Sequence, residues 1–362
     1  MTPFDVLAAF WLALAPTAHA SAASLPSQAA TEEVPRALAL WYIPAQLLEV
    51  PDEELLGRVG LDPESLGSLA IGTAGGGRLM NAVQLMPSPR WEIAPAAISW
   101  GTAETMAAID AAVALVHEVF PDTPPIFIGD ISHREGGRLK RHETHQSGTD
   151  VDFGFYYRPG TGRWYAPGTA ANLDLPRNWA LVRSLLLCTD VERILLDTRI
   201  QRLLYRHALS IGEDKDWLDR LFGFVKGSST ALVRHVAGHR THYHVRFYNP
   251  VAQELGRRAH PFLVELQVLP PPVYTVRHTV TRGQTLGHLA RRYGTSVQAI
   301  MQANGLRSTQ LRAGRAYRIP MRAAAPPSVP LVVPPRPVPP LTPPALAQVD
   351  WPSAPPAYQG TR

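Results

Sequence analysis

The sequence predicts an α+β fold in which a small, mostly antiparallel sheet is flanked by helices and followed by a small β-α-α-β domain. Three observations predict it. Helical and strand patterns are mixed between residues 65 and 265, without the regular βαβ repeat of a parallel sheet. Two strand-like segments in this region each have one apolar and one polar face. Three consecutive prolines at 270–272 then separate a compact unit over residues 274–320.

An amphipathic helix is predicted over residues 102–120, where Met106, Ile109, Val113 and Val116 recur at alternating three- and four-residue spacing. Short runs of apolar residues bounded by polar ones predict the neighbouring elements. Strands are expected at residues 126–131 and 191–197, and helices at residues 178–188 and 198–208, the latter capped by Asp197.

The flanking segments have a different composition. Residues 6–15 are apolar but too short to span a bilayer, and small residues at 18 and 20 match a cleavage site, although no basic residue precedes the run. We therefore predict a signal peptide over residues 1–20 and a mature chain without a membrane span. A linker and N-terminal extension are expected at residues 21–64, and a Pro-rich disordered tail at residues 326–362.

The composition limits the classes of partner. The 362 residues are 45% hydrophobic, enough for a sizeable core and two to three domains. The 35 Lys and Arg against 30 Asp and Glu give a net charge of +5, which suits an acidic polymer. Because no basic run is dense enough to suggest nucleic acid, we expect no nucleic-acid partner.

Two segments bring histidines and aspartates onto strand faces. In residues 150–155, Asp150 and Asp152 alternate with apolar residues, so a strand would direct both carboxylates to the side opposite the core. In residues 241–247, the polar side would carry His242, His244 and Arg246. Two such strands could fix metal ligands on rigid backbone.

His145, Asp152 and His244 could supply two nitrogens and one oxygen to Zn²⁺ at about 2.0 to 2.2 Å, with water in the fourth tetrahedral position. Such an open site would be catalytic, and His242 could move the proton. The spacing alone leaves open a solvated acid-rich loop with ordinary surface histidines. The sequence contains no H-E-x-x-H helix motif.

The motif H-x-x-H-Q-x-G-x-D-V-D begins at His142, and H-x-x-H-x-H-V-R begins at His239. With weaker similarity between and before them, these motifs make residues 65–250 resemble the penicillin-insensitive murein endopeptidases, zinc peptidases related to the D-Ala-D-Ala carboxypeptidases and dipeptidases. We expect this zinc peptidase domain to span residues 65–265. The resemblance implies that the protein hydrolyses the D-alanyl to meso-diaminopimelyl crosslink of peptidoglycan in the periplasm.

The resemblance also implies roles for individual residues. One zinc ion per chain would be held by His145, Asp152 and His244, and His142 could be a further ligand. His242 is implied as general base or transition-state stabiliser, and His239 as a second catalytic histidine near the site. Asp150 could orient ligands or substrate, or it could stabilise a turn. Arg138 and Arg246 could bind a substrate carboxylate, which leaves open a D,D-carboxypeptidase. A wall-binding protein without catalysis is a third alternative.

Residues 274–320 resemble a LysM module. They read as a strand, two helices and a last strand, with Asn304-Gly305 ending the second helix. The resemblance implies binding to N-acetylglucosamine-containing glycans, so peptidoglycan is the expected partner of both domains; the sequence indicates no protein partner. The groove residues implied are Gly283, Gln284, Thr285, Leu286, Asn304, Gly305 and Leu306.

Overall fold

The structure is a computed structural model that describes residues 43–139, 142–224, 231–269, 274–321 and 329–335. Within them, eight α-helices accompany one six-stranded sheet and three two-stranded sheets. This architecture confirms the predicted α+β class. The predicted signal peptide, half of the predicted linker and N-terminal extension, and most of the Pro-rich tail lie outside the described residues. No helix among the described residues is long and apolar enough to cross a membrane.

The six-stranded sheet has the order β4-β6-β7-β10-β8-β9. Its three inner pairs are antiparallel and its two outer pairs are parallel, which confirms a mostly antiparallel sheet. In chain order its strands are β4 (Trp91–Ile93), β6 (Ile126–Ile128), β7 (Asp150–Phe153), β8 (Val191–Leu196), β9 (Val233–His235) and β10 (Tyr243–Phe247). The short strands β3 (Val83–Gln84) and β5 (Trp100–Gly101) pair beside it.

Helices α2 (Ala103–Val119), α3 (Leu175–Cys188), α4 (Thr198–Ser210) and α5 (Lys215–Phe222) contribute to the core of this sheet. Thr102 begins α2 by accepting a hydrogen bond from Thr105 N. Met106, Ile109, Val113 and Val116 of the predicted apolar stripe are fully buried, whereas Phe120, which the same spacing includes, is only partly buried and follows the end of α2. Asp197 caps α4 through Arg199 N, as the sequence predicts.

A second core joins the residues that precede the sheet to the helix that follows it. The 3₁₀ turns Ala45–Glu49 and Pro63–Leu66, helix α1 (Asp52–Leu61) and the hairpin of β1 (Leu69–Thr73) and β2 (Gly76–Met80) pack with α6 (Pro250–Glu265). Gly256 on α6 is required for this contact, because an added Cβ would lie 2.4 Å from the carbonyl oxygen of Ala70.

Glu104 on α2 contacts the first turn of α6 and so connects the two cores. Its carboxylate accepts hydrogen bonds from Val251 N and Ala252 N in the first turn of α6. Burial raises the pKa of Glu104 from 4.5 to about 7 despite these bonds. The folded state therefore keeps a proton that the unfolded state releases, so the free energy of unfolding falls as pH rises between these two values.

We expect Glu104→Gln to remove this dependence, which amounts to about 3 kcal/mol at most. Urea unfolding between pH 4.5 and pH 8 measures it, with the exposed Glu118→Gln on the same helix as the matched control. Equal pH dependence in the wild type and the Glu104 variant would contradict the assignment.

The unit after the triple proline consists of β11 (Tyr274–Thr279), α7 (Leu286–Arg292), α8 (Val297–Asn304) and β12 (Ala316–Met321). The two strands pair antiparallel over a core of their own. Thr285 and Ser296 cap the helices, and Gly305 ends α8 with a left-handed φ of 60°. The predicted β-α-α-β order is confirmed.

Candidate active site with a metal-ligand cluster

Strands β7 and β10 position the predicted site. Their antiparallel register sets His244 opposite Asp152 and Arg246 opposite Asp150. Residues on the other face, including Val151, Phe153 and Val245, are fully buried in the core. A residue and its cross-strand partner lie side by side on one face, so the register alone brings a histidine against an aspartate.

Three potential metal-ligand atoms lie close together here, one each from His145, Asp152 and His244. His145 Nε2 lies 3.0 Å from His244 Nδ1 and 3.2 Å from Asp152 Oδ1, which is also 3.2 Å from His244 Nδ1. Atoms that ligate a tetrahedral zinc ion at 2.0 to 2.1 Å stand about 3.3 Å apart. Asp152 Oδ1 is buried and has no hydrogen-bond donor among the described residues. An unsatisfied carboxylate oxygen facing two ring nitrogens fits a divalent cation.

Hydrogen bonds fix both the backbone and the ring of His145. Its backbone has a left-handed φ of 65°, and its N–H donates to Asp150 Oδ2 at 2.9 Å. Its Nδ1 lies 2.9 Å from the carbonyl oxygen of Ile131 and must donate to it. This hydrogen bond orients the ring so that Nε2 points at the cluster.

Asp150 contacts both His145 and His244. Its buried carboxylate lies 3.5 Å from His244 Nε2 and accepts two hydrogen bonds from Arg246, at 2.6 and 3.1 Å. Burial opposes ionisation, but His244 and Arg246 outweigh it and hold the pKa of Asp150 well below its usual range. Arg246 is thus engaged with Asp150 and positions it.

The charge balance favours a cation at this point. Burial favours a neutral ring, but the carboxylates of Asp150 and Asp152 outweigh it and raise the pKa of His244 to about 9. The pKa of Asp152 is lowered against the effect of burial by His145 and His244. Two buried carboxylates thus stabilise positive charge among the imidazoles.

His142 lies at the edge of the cluster. Donor atoms of His142, His145 and Asp152 all lie within 4.8 Å of one another, so these three residues could also hold an ion. His142 Nε2 is 2.8 Å from Asp130 Oδ2, and this hydrogen bond raises the pKa of His142 against its partial burial. Asp130 therefore fixes the ring beside the other ligands.

His242 and His239 form the opposite side of the site. His242 Nε2 lies 3.7 Å from Asp152 Oδ2, and its Nδ1 lies 2.9 Å from Thr241 Oγ1. Burial lowers the pKa of His242 to about 4 and also lowers that of His239, whose ring centre is 5.0 Å away. Both rings are neutral near pH 7 and can accept a proton.

Other predicted residues lie elsewhere. The exposed guanidinium of Arg138 donates to the carbonyl oxygen of Gln302 in α8 at 3.3 Å and is not part of the cluster. Between β11 and β12, Gln284 accepts from Thr281 N, and Asn304 bonds to the backbone of Arg318 in both directions. These predicted groove side chains hold their own loops in place, with Leu286 buried beneath them, Thr285 capping α7 and Leu306 packed at the core. Gly283 and Gly305 lie at left-handed turns.

Sequence reasoning missed Asp130, the Ile131 carbonyl and the aromatic residues Trp164 and Tyr165. The ring centres of Trp164 and Tyr165 lie 6.3 and 5.6 Å from that of His242. Asp130 lies inside the strand predicted over residues 126–131, whereas the observed strand β6 ends at Ile128. An acidic residue near the end of an apolar strand was a usable signal. Tyr165 has a left-handed φ of 68° in a loop whose path no local pattern indicates.

The comparisons with known proteins agree with this arrangement. Residues 70–165 match the family model of the penicillin-insensitive murein endopeptidases. This match confirms the resemblance seen in the first histidine motif. Residues 278–320 match the LysM domain, as predicted. No curated protein matches the chain. His239, His242 and His244 lie beyond the matched span, and the structure brings them to the matched residues. Together the two matches support a murein-acting enzyme, a peptidoglycan hydrolase.

Proposed function

We propose that the protein is a zinc-dependent D,D-endopeptidase that cleaves D-alanyl to meso-diaminopimelyl crosslinks of peptidoglycan. The observation that carries the proposal is the convergence of His145 Nε2, Asp152 Oδ1 and His244 Nδ1 within 3.2 Å of one another. Tetrahedral N/O ligand sets of this kind hold catalytic zinc. His142, His239 and His242 surround this set.

A zinc ion held by these residues would supply a Lewis acid that polarises the scissile carbonyl and acidifies water. The neutral His242 would accept the proton and return it to the leaving amine. Asp150 and the Ile131 carbonyl keep both ligand histidines in the required tautomers. Because no serine is acylated, β-lactams would have no nucleophile to trap.

The LysM domain would tether this activity to its polymer. A glycan-binding unit on the same chain raises the local concentration of crosslinks without adding a catalytic contact. The net charge of +5 also favours association with an anionic wall. We place the protein outside the cytoplasm, in the periplasm, where such a wall is reached.

Digestion of purified sacculi with and without a chelator, followed by separation of the muropeptides, tests the proposal. Chelator-sensitive loss of crosslinked dimers is expected. Loss of terminal D-alanine from monomers alone would instead identify a carboxypeptidase, and no change at all would identify a wall-binding protein. Zinc content of the purified protein should accompany the digestion.

Removal of residues 270–362 is expected to reduce action on intact sacculi more than on soluble crosslinked muropeptides, because only the insoluble polymer benefits from tethering. The ratio of the two rates is the measurement. A chain that lacks only residues 322–362 is the matched control, since it keeps the LysM domain. Equal loss on both substrates would contradict tethering.

A further inference from the structure

A cavity of about 340 Å³ lies beside the loop that precedes β10, and four arginines contribute to its lining. Arg199, Arg202 and Arg206 follow one another along α4 at spacings of three and four residues, which places them on one face of the helix. Arg240 comes from the loop before β10. We call this group the arginine cavity.

The described residues supply no counter-charge to the arginine cavity. None of its lining residues is acidic. Within the part of the chain that the structure describes, no carboxylate forms an ion pair with any of the four, whereas Arg177, Arg246 and Arg258 elsewhere are all paired. Arg199, Arg202 and Arg206 are exposed to solvent, so their permanent charges are open to an anionic ligand.

Arg240 provides a second and independent observation. Its Nε is buried and has no hydrogen-bond partner among the described residues. A buried donor without an acceptor is unfavourable, and such groups in folded proteins generally find one. Arg240 therefore keeps hydrogen-bonding capacity that the described residues leave unused.

The loop that precedes β10 connects the arginine cavity to the cluster of His145, Asp152 and His244. Gly168 N, in the cavity wall, donates to the carbonyl oxygen of Arg240 at 2.7 Å, and Asp197 N at the start of α4 donates to that of His239 at 2.8 Å. His242 follows Arg240 by two residues. The wall of the cavity is also continuous in sequence with Tyr165, whose ring stacks on His242.

We propose that the arginine cavity binds a free carboxylate of the anionic peptide crosslink, next to the bond that is cleaved. The inference rests on the proposed function. A diaminopimelyl residue keeps a carboxylate that takes no part in the scissile bond, and guanidinium groups bind carboxylates through paired, charge-assisted hydrogen bonds. The arginines would thereby fix which peptides reach His242 in the correct register.

The test uses two soluble crosslinked muropeptides that differ only in whether the diaminopimelyl carboxylate is free or amidated. For the wild type, amidation is expected to lower kcat/KM about 10- to 100-fold, the effect of losing a charged hydrogen bond. Arg202→Gln, and separately Arg240→Gln, should cause a loss of that size on the free carboxylate and little further loss on the amide.

Arg220→Gln on α5 is the matched control, because it removes the same charge from an exposed position that does not line the cavity. It should behave as the wild type on both substrates. Equal losses on both substrates in the Arg202 and Arg240 variants, or no loss in either, would overturn the inference. Inhibition by inorganic phosphate without any effect of amidation would also overturn it, in favour of a phosphate site.

The failure of the proposed function would look different. In that case the wild type would cleave neither substrate, with or without added zinc. Cleavage by the wild type combined with unaltered Arg202 and Arg240 variants would remove only the carboxylate site.

Discussion

Replacing His244 by alanine is expected to abolish both metal retention and crosslink hydrolysis. Its Nδ1 lies 3.0 Å from His145 Nε2 and 3.2 Å from Asp152 Oδ1, so its loss removes one corner of the ligand set. Two remaining protein ligands fix neither the geometry nor the affinity of a zinc site. The loss of the ring also leaves Asp150 and Asp152 as buried carboxylates with one fewer cationic partner.

Replacing His242 by alanine is expected to leave the metal bound and to lower turnover about 10²- to 10⁴-fold, the contribution of a positioned general base. His242 Nε2 lies 3.7 Å from Asp152 Oδ2, a separation too long for a direct hydrogen bond to the ligand set. Its ring is neutral, since burial lowers its pKa to about 4, and the ring of Tyr165 stacks on it. The loss should therefore be in kcat, with little change in metal content.

Metal analysis after dialysis and kcat/KM on a soluble crosslinked muropeptide separate the two variants. His288→Ala, which removes an exposed imidazole from α7, is the control and should match the wild type in both measurements on the soluble substrate. Full metal occupancy in the His244 variant, or full turnover in either variant, would count against the assignment of these residues.

The faces of the two site strands could be predicted from sequence, because side-chain direction in a strand follows from alternation alone. Asp150, Asp152, His244 and Arg246 all share the expected face. Their register could not be predicted in the same way. Alternation says which side a residue occupies, but only the packing of the whole sheet decides that His244 lies opposite Asp152 rather than two residues away.

Contacts that depend on loop paths were also beyond the sequence. His145 adopts a left-handed backbone that only its hydrogen bonds to Asp150 and Ile131 explain. The strand predicted over residues 126–131 ends at Ile128. Gly129 packs against Trp164, where an added Cβ would lie 2.8 Å from the ring, and Asp130 lies beside His142. Local propensity carries no information on a contact between such distant segments.

The LysM region was easier to predict because its signals are local. Caps at Thr285 and Ser296 and the stop at Gly305 each act within a few residues of the helix end. The candidate metal site instead joins His145 to His244 across 99 positions of sequence. The resemblance of the two histidine motifs to a known family predicted that these residues lie together. Hydrophobic periodicity made no such prediction.

Glu213→Ala is expected to destabilise the peptidase region by about 3 to 5 kcal/mol, because it leaves a buried guanidinium without its carboxylate. Arg183 Nη1 lies 2.7 Å from Glu213 Oε1, and the two side chains are 5% and 1% exposed. Trp179 Nε1 donates to the same oxygen at 2.8 Å. Burial raises the pKa of Glu213 and lowers that of Arg183, so each charge depends on the other.

Urea unfolding of three variants separates the pair from its environment. Glu54→Ala, which breaks the exposed pair with Arg58, should cost at most about 1 kcal/mol. The double variant Arg183→Met, Glu213→Leu should recover most of the loss, since an apolar pair of similar volume needs no desolvation of charge. If Glu213→Ala costs no more than Glu54→Ala, the buried pair contributes nothing specific. Recovery in the double variant would show that the cost comes from the stranded cation and not from a lost attraction.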